Sequence, residues 1–237
     1  MRRDVRVALA AVVFSLAALV ACRRHSPPDP AHDVDIVTPD FAVLKASYFS
    51  PGKPGPGILL IHQCNMDRHA WDSLTPDLVR AGFHVLTFDQ RGFGDTGGGR
   101  VAGPKALGDA EAAYVYLRAK PDVEKGRMAV GGASCGVTYS SALASAHADI
   151  TSLLVLSGGA SNGSRAYVAA TPSLAVVGAA ADREAEDIRA IVKSSRHPQS
   201  ALRTVRGSAH GVQMFDTDPD LEPSIVKWLA ARFSRGA

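Results

Sequence analysis

Two serines in this chain sit between glycines in the pattern G-x-S-x-G: Ser134 in Gly132-Ala133-Ser134-Cys135-Gly136 and Ser161 in Gly159-Ala160-Ser161-Asn162-Gly163. A serine hydroxyl becomes a useful nucleophile when a tight turn exposes it and a base stands within hydrogen-bond reach. Small flanking residues suit such a turn, because a side chain there would collide with neighbouring backbone. Downstream lie a carboxylate and an imidazole that could complete the set. Asp182 follows a run of short apolar residues at 174–178 and three alanines, and His210 lies in Gly207-Ser208-Ala209-His210-Gly211. Together these groups carry acyl transfer: the imidazole takes the serine proton, while the carboxylate orients the ring and stabilises its cation. That chemistry calls for no metal and no cofactor.

Context separates the two serines. The turn needs a buried strand before it and a helix after it. Ser134 follows Met128-Ala129-Val130-Gly131-Gly132 and precedes a small-residue helical segment at 137–147. Ser161 is followed within eleven residues by Pro172 and then by another strand, which reads as a glycine-rich loop. Cys135 could supply a thiol instead, but its flanks would be Ala133 and Val137, and valine fits the turn poorly. Ser134 is the candidate nucleophile. Asp182 has a second physical role available, as the N-cap of a helix at 183–194. Glu184 and Asp187, further along that helix, read as a solvated face. His62, His69, His84, His147 and His197 have no catalytic context and read as structural or surface residues.

The elements that must position these groups alternate. Strand-like runs occur at 43–48, 57–62, 84–89, 128–132, 153–157, 174–178 and 201–205, and most end in Gly, Asp or His. Helix-like segments lie at 68–81, 105–119, 137–147, 183–194 and 223–233, the last with Ile225, Trp228, Leu229 and Phe233 at helical spacing. Alternation of this kind predicts an α/β fold, a mostly parallel sheet with helices on both faces, in one domain. The 237 residues are 46% hydrophobic and 21% charged, enough apolar mass for such a core. The first 21 residues hold three of the 26 Lys and Arg and one of the 23 Asp and Glu, so the net charge of +3 falls to +1 without them. A body so near neutrality has no electrostatic footprint for nucleic acid. Three cysteines exclude a disulfide-stapled mini-protein or a structural zinc domain.

Ahead of the body, Arg2, Arg3 and Arg6 precede an apolar run at 7–21 that ends at Cys22, the pattern of an export signal. The run is shorter than the roughly 20 residues of a spanning helix. The polar, proline-rich Arg23-Arg24-His25-Ser26-Pro27-Pro28-Asp29-Pro30 follows, a composition that makes an extended spacer. The expected division is a signal at 1–21, a tether at 22–35 and the body at 36–237.

The body resembles the α/β-hydrolases, nearest to the compact dienelactone hydrolase-like group. The resemblance rests on Gly132-Ala133-Ser134-Cys135-Gly136, on Asp182 and His210 in that chain order, on Ile58-Leu59-Leu60-Ile61-His62-Gln63-Cys64 and on Asp89-Gln90-Arg91-Gly92-Phe93-Gly94. It implies an α/β-hydrolase fold without an inserted lid domain, and a triad of Ser134, Asp182 and His210. It also implies an oxyanion hole made by the backbone N–H groups of Cys135 and of Cys64 or Gln63. Gln63 stands where the family's His-Gly motif has glycine. Dienelactone hydrolases use cysteine where this chain has Ser134, so their substrate does not carry over. Separately, Leu19-Val20-Ala21-Cys22 resembles the lipobox of bacterial lipoproteins, which implies cleavage before Cys22, lipid on Cys22, and a membrane anchor. Arg23 after that cysteine favours the outer membrane, facing the periplasm.

If the N–H groups of Cys64 and Cys135 converge on one oxyanion, their Cα atoms fall within disulfide range. Two outcomes stand: a Cys64–Cys135 bridge bracing the oxyanion loop, or two buried free thiols. The short span between 157 and 174 leaves no room for a lipase-like lid, so a small ester, thioester or lactone is the expected substrate. Met66, Trp71, Phe93, Tyr139, Tyr167, Met214 and Phe215 are candidates to line the cleft or to pack beside it. Two other readings share these residues: an inactive, lipid-anchored ligand-binding protein, favoured if the Gln63 side chain enters the oxyanion site, and an acyltransferase with a non-water acceptor. Expected partners are thus a small-molecule substrate and a membrane, with oligomeric state left open.

Overall fold

The computed structural model describes residues 31–158, 163–181 and 184–234. Its centre is an eight-stranded sheet in the order β1-β2-β4-β3-β5-β6-β7-β8. The strands are β1 (His32–Val37), β2 (Val43–Phe49), β3 (Gly55–Ile61), β4 (His84–Phe88), β5 (Val123–Ala133), β6 (Ile150–Leu156), β7 (Ala175–Ala181) and β8 (Ala201–Val205). Only β2 runs against its neighbours; β3 to β8 are parallel. The predicted mostly parallel α/β sheet is the observed one.

The period-two alternation of side chains explains how the two faces are filled. In β3, Leu59 and Ile61 face one core, shared with the helices α2 (Pro104–Arg118), α3 (Gly136–Ala146) and α5 (Ala185–Ser194). Ile58 and Leu60 face the other core, shared with α1 (Thr75–Arg80) and α7 (Leu221–Phe233). A strand buried on both faces reads as a continuous apolar run, and β3 is buried along its whole length. In α7, Leu221, Ile225, Leu229 and Phe233 form the buried stripe at i, i+4 spacing. Trp228 lies at the rim, donating from Nε1 to the Gln199 carbonyl at 2.7 Å.

Several element boundaries differ from the sequence expectation. Residues His32–Val37 form an edge strand, not the end of a tether. Only Ile36 of that strand is buried, so its apolar signal is too sparse to read. The expected helix at 68–81 is a 3-10 turn, Arg68–Trp71, followed by α1, whose second residue is Pro76; proline lacks the N–H to continue an upstream helix. Two short helices were not expected: α4 (Ser164–Ala169), between β6 and β7, and α6 (Met214–Thr217), after a 3-10 turn at Gly211–Gln213. The signal at 1–21, Cys22 and Arg23, together with Ser161, lie outside the described residues.

Candidate active site

Ser134 occupies the turn between β5 and α3 with a φ of 52°, a left-handed conformation rare for a residue with a side chain. Its neighbours make the turn possible. A Cβ on Gly132 would lie 2.4 Å from the Gly136 carbonyl group, and one on Gly136 would lie 2.4 Å from the Ile61 oxygen. The Ser134 N–H donates to the Leu156 carbonyl at 2.9 Å, tying the turn to the end of β6. The hydroxyl is thus carried at the carboxyl edge of the parallel sheet, on the N-terminal side of an eleven-residue helix.

His210 follows β8 on the same edge, 31% exposed. Gly211, next in the chain, packs against the Ser134 turn: a Cβ there would lie 3.5 Å from that of Ala133. The His210 ring faces a carboxylate, with Nδ1 at 2.9 Å from both Oε1 and Oε2 of Glu184. A carboxylate can only accept, so Nδ1 carries a proton, and in the neutral ring Nε2 presents its lone pair. That is the tautomer a general base needs.

Glu184 is therefore not part of a solvated helix face. It is the residue before α5, on the turn after β7, and its side chain points to the histidine. Asp182, the expected acid, precedes Glu184 by two positions in the sequence and lies outside the described residues. Two acids two positions apart, in Asp182-Arg183-Glu184, gave the sequence no means of telling which one reaches across to a loop 26 residues later.

Cys64 and Cys135 are joined by a disulfide with their Cα atoms 5.9 Å apart. It bridges the loop after β3 to the first residue after Ser134. Neither the Cys64 N–H nor the Cys135 N–H donates to an acceptor among the described residues. The Cys135 N–H also stands at the N-terminus of α3, where the helix dipole favours negative charge.

The Gln63 side chain is fully buried and engaged on both ends. Its Oε1 accepts from the Val212 N–H at 3.0 Å, and its Nε2 donates to Asn65 Oδ1 at 2.8 Å. His62 is also buried. Its Nε2 accepts from the Gln90 N–H at 3.0 Å, which leaves Nδ1 to donate to the Gln63 carbonyl at 2.8 Å. Burial pushes this imidazole below its ordinary pKa, consistent with a neutral ring. The consecutive residues His62, Gln63 and Cys64 thus reach three different loops: after β4, after β8 and after β5.

The Asp89-Gln90-Arg91-Gly92-Phe93-Gly94 stretch builds the floor of this edge. Asp89 is fully buried, accepting from the Arg68 N–H at 2.7 Å, from the Asp95 N–H at 2.8 Å and from the Arg68 guanidinium. Arg91 clamps Asp109 of α2 and Asp40 of the β1–β2 turn, and it holds the Asp40 carboxyl well below the usual carboxylate range. Of the aromatic and methionine candidates for the cleft, Trp71, Met214 and Phe215 belong to the core under α1 and α7. Phe93 stacks edge-on against His62 and beneath Arg100. Tyr167 of α4 is exposed. A hollow of about 550 Å³ lined by Phe83, Arg127 and Phe233 lies at the opposite, amino edge of the sheet, remote from these groups.

The family model described as serine aminopeptidase, S33, matches residues 52–230. Curated relatives from two strains of Mycobacterium tuberculosis, both described as uncharacterized proteins, are 34% identical over 114 residues, which is 47% of this chain. The chain spans only 40% of the length of those relatives. Among solved structures, an esterase of Pyrococcus furiosus superposes with a TM-score of 0.72 at 18% identity, covering 86% of this chain and 91% of that one. An α/β hydrolase from Penicillium gives 0.72 at 13% identity, over 86% and 99%. The esterase domain of a Rhodothermus marinus protein gives 0.70 at 14% identity, over 86% and 99%.

Proposed function

We propose, for a chain that belongs to the serine aminopeptidase S33 family and has the α/β-hydrolase fold, that it hydrolyses small carboxylic esters, thioesters or lactones through an acyl-enzyme on Ser134. The observation that carries this reading is His210 with its Nδ1 held by a carboxylate, on a loop packed against the turn that presents Ser134.

His210 Nε2 takes the proton as Ser134 Oγ attacks the carbonyl carbon. The N–H groups of Cys135 and Cys64 receive the oxyanion, each such donor contributing on the order of 3 kcal/mol to the transition state. The ring then protonates the leaving group and later takes a proton from the water that releases the acid. The negative charge needed beside the imidazolium comes from Glu184, which sits on Nδ1, with Asp182, two positions earlier in the sequence, as the other candidate carboxylate. Small substrates are favoured because the segment between β6 and β7 holds, among the described residues, only the six-residue α4. The kinship to dienelactone hydrolase-like enzymes belongs to the same reading, with serine replacing their cysteine. So does anchoring at an outer membrane through lipid on Cys22, which the Arg2-to-Arg23 sequence supports and which the mass of the N-terminal peptide from membrane-purified protein tests.

Labelling the full chain with a fluorophosphonate and mapping the adduct tests the nucleophile. One adduct on Ser134, absent from His210→Ala, is the expected result. An adduct on Ser161, or none on folded protein, overturns the reading.

A further inference from the structure

Gln63 is a fully buried polar residue at this edge that the catalytic steps above leave without a task. Its carboxamide orientation is fixed by chemistry: the Val212 N–H can only donate, so the atom facing it at 3.0 Å is Oε1, and Nε2 is left for Asn65 Oδ1. The bond to Val212 spans 149 residues of sequence and ends two residues past His210. The intervening Gly211 has a φ of 59°, and a Cβ on it would lie 2.0 Å from Gln63 Oε1. Residues 63 and 211 therefore specify each other, since the carboxamide occupies the space a side chain at 211 would need. The Gly211 N–H is held as well, by Ser157 Oγ at 2.9 Å. Both amides that follow His210 are thus pinned by side chains from other strand ends, one of them from the loop that offers the Cys64 N–H.

We propose that Gln63 is a positioning residue for His210, its buried carboxamide locking the histidine loop to the oxyanion loop. Glu184 sets the tilt of the ring at Nδ1, whereas Gln63 sets where the backbone carrying that ring stands relative to Ser134. The inference rests on the triad reading above. It also gives the Gln63 side chain a place away from the oxyanion, the opposite of what an inactive binding protein would use it for.

The test compares Gln63→Met, which keeps the bulk and removes both hydrogen bonds, with Gln63→Glu, which keeps an acceptor for Val212 while the exposed Asn65 can turn its carboxamide to donate. Initial rates on p-nitrophenyl acetate, with melting curves to establish that each variant is folded at the assay temperature, give kcat and KM. Gln63→Met should lower kcat about 10- to 100-fold while KM changes less than about twofold, because a misplaced base loses rate and not ground-state binding. Gln63→Glu should recover most of that loss. The fluorophosphonate inactivation rate at Ser134 should fall in parallel with kcat. Should Gln63→Met fail to fold, Asn65→Ala, which removes only the exposed partner, should lower kcat about threefold at constant KM. Unchanged kcat in folded Gln63→Met, or in Asn65→Ala where that variant decides, overturns the proposal, as does a loss confined to KM. Wild-type protein that does not label at Ser134 would sink the triad reading and this one together; labelled wild type beside an unaffected Gln63→Met sinks this one alone.

Discussion

Reducing the Cys64–Cys135 bridge should slow the enzyme as well as destabilise the fold. The two cysteines are 71 residues apart in sequence, and closing a loop of that size removes about 4 kcal/mol of conformational freedom from the unfolded chain. For a domain of this size that corresponds to a fall in Tm of roughly 8–16 °C on reduction. The folded state keeps other restraints on the same region. β3 and β5 remain paired up to Ile61 and Gly132, and Gly136 stays seated against the Ile61 carbonyl. What reduction frees is the loop after β3 beyond Gln63, and with it the Cys64 N–H. Complete loss of one oxyanion donor costs about 100- to 1000-fold in kcat, so a donor that is mobile and still present should cost about 10- to 100-fold. Cys64 is exposed, which lets reductant reach the bridge without unfolding. The assay is p-nitrophenyl acetate hydrolysis with and without a phosphine reductant, at a temperature below both transitions, and Cys64→Ala/Cys135→Ala repeats it without reductant. A kcat unaffected by reduction, with Tm lowered, would refute the positioning role and leave the bridge a stabiliser. More than one reactive thiol in the denatured, unreduced full chain would refute the bridge itself.

The two acids are separable: Glu184→Gln should lower kcat about 100-fold or more while Asp182→Asn leaves most activity, and the reverse order would return the acid role to Asp182. Acid should destabilise the fold through two buried imidazoles. His62 and His84 both have pKa values pushed down by burial, so the unfolded chain binds protons first, near pH 6.5. Stability is then full above that pH and falls below it, toward each folded pKa, by up to about 1.4 kcal/mol per pH unit per histidine. Urea midpoints between pH 7.5 and 5 measure the slope, and a slope unchanged in His84→Gln would contradict this assignment. Asp89→Asn should cost about 3 kcal/mol in urea unfolding, because among the described residues it leaves the buried Arg68 guanidinium with only the more exposed Asp95 as a carboxylate, beside the Ser47 hydroxyl; a loss below about 1 kcal/mol would show that the pair is not stabilising.

The sequence made legible what periodicity and covalent neighbourhood control. β3 announces itself as an unbroken apolar run, α7 as a four-residue stripe, and the Ser134 turn as small residues between a strand and a helix. β1 was missed because an edge strand with one buried side chain has no pattern to display. α4 and α6, at six and four residues, are too short to establish a helical period. The failure at Glu184 has a different cause. Its chemistry is visible in the sequence, but the pattern puts it inside a helix at 183–194, whereas it stands on the turn before α5, and choosing it requires knowing where a loop beyond β8 folds back. Gln63 stands out in the sequence only as the absence of a glycine; its partner, a backbone amide 149 residues away, leaves no trace in the side-chain pattern.

Strain at this edge is shared between strands and not confined to the nucleophile. Ser134 and Ser157 end adjacent strands, β5 and β6, and both have positive φ, 52° and 54°. Each such residue costs on the order of 1 kcal/mol and persists only where its surroundings over-determine it. Here each is held by the next strand: the Ser134 N–H by Leu156 of β6, and the Ser157 N–H by Ala179 of β7. Gly158 fits only because it has no side chain, since a Cβ would lie 2.5 Å from the Ser134 carbonyl oxygen. Ser157 then spends its hydroxyl on Gly211, beside His210. The turn that exposes Ser134 is therefore buttressed by a second strained turn that also carries the histidine loop. With the bonds from Gln63 and Cys64, the loops after β3, β5, β6 and β8 are tied into one interlocked set. An edge built this way has little freedom to adjust when one tie is cut, which is why the loss of the hydrogen bonds at Gln63, a side chain that takes no part in the proton transfers, should register in kcat.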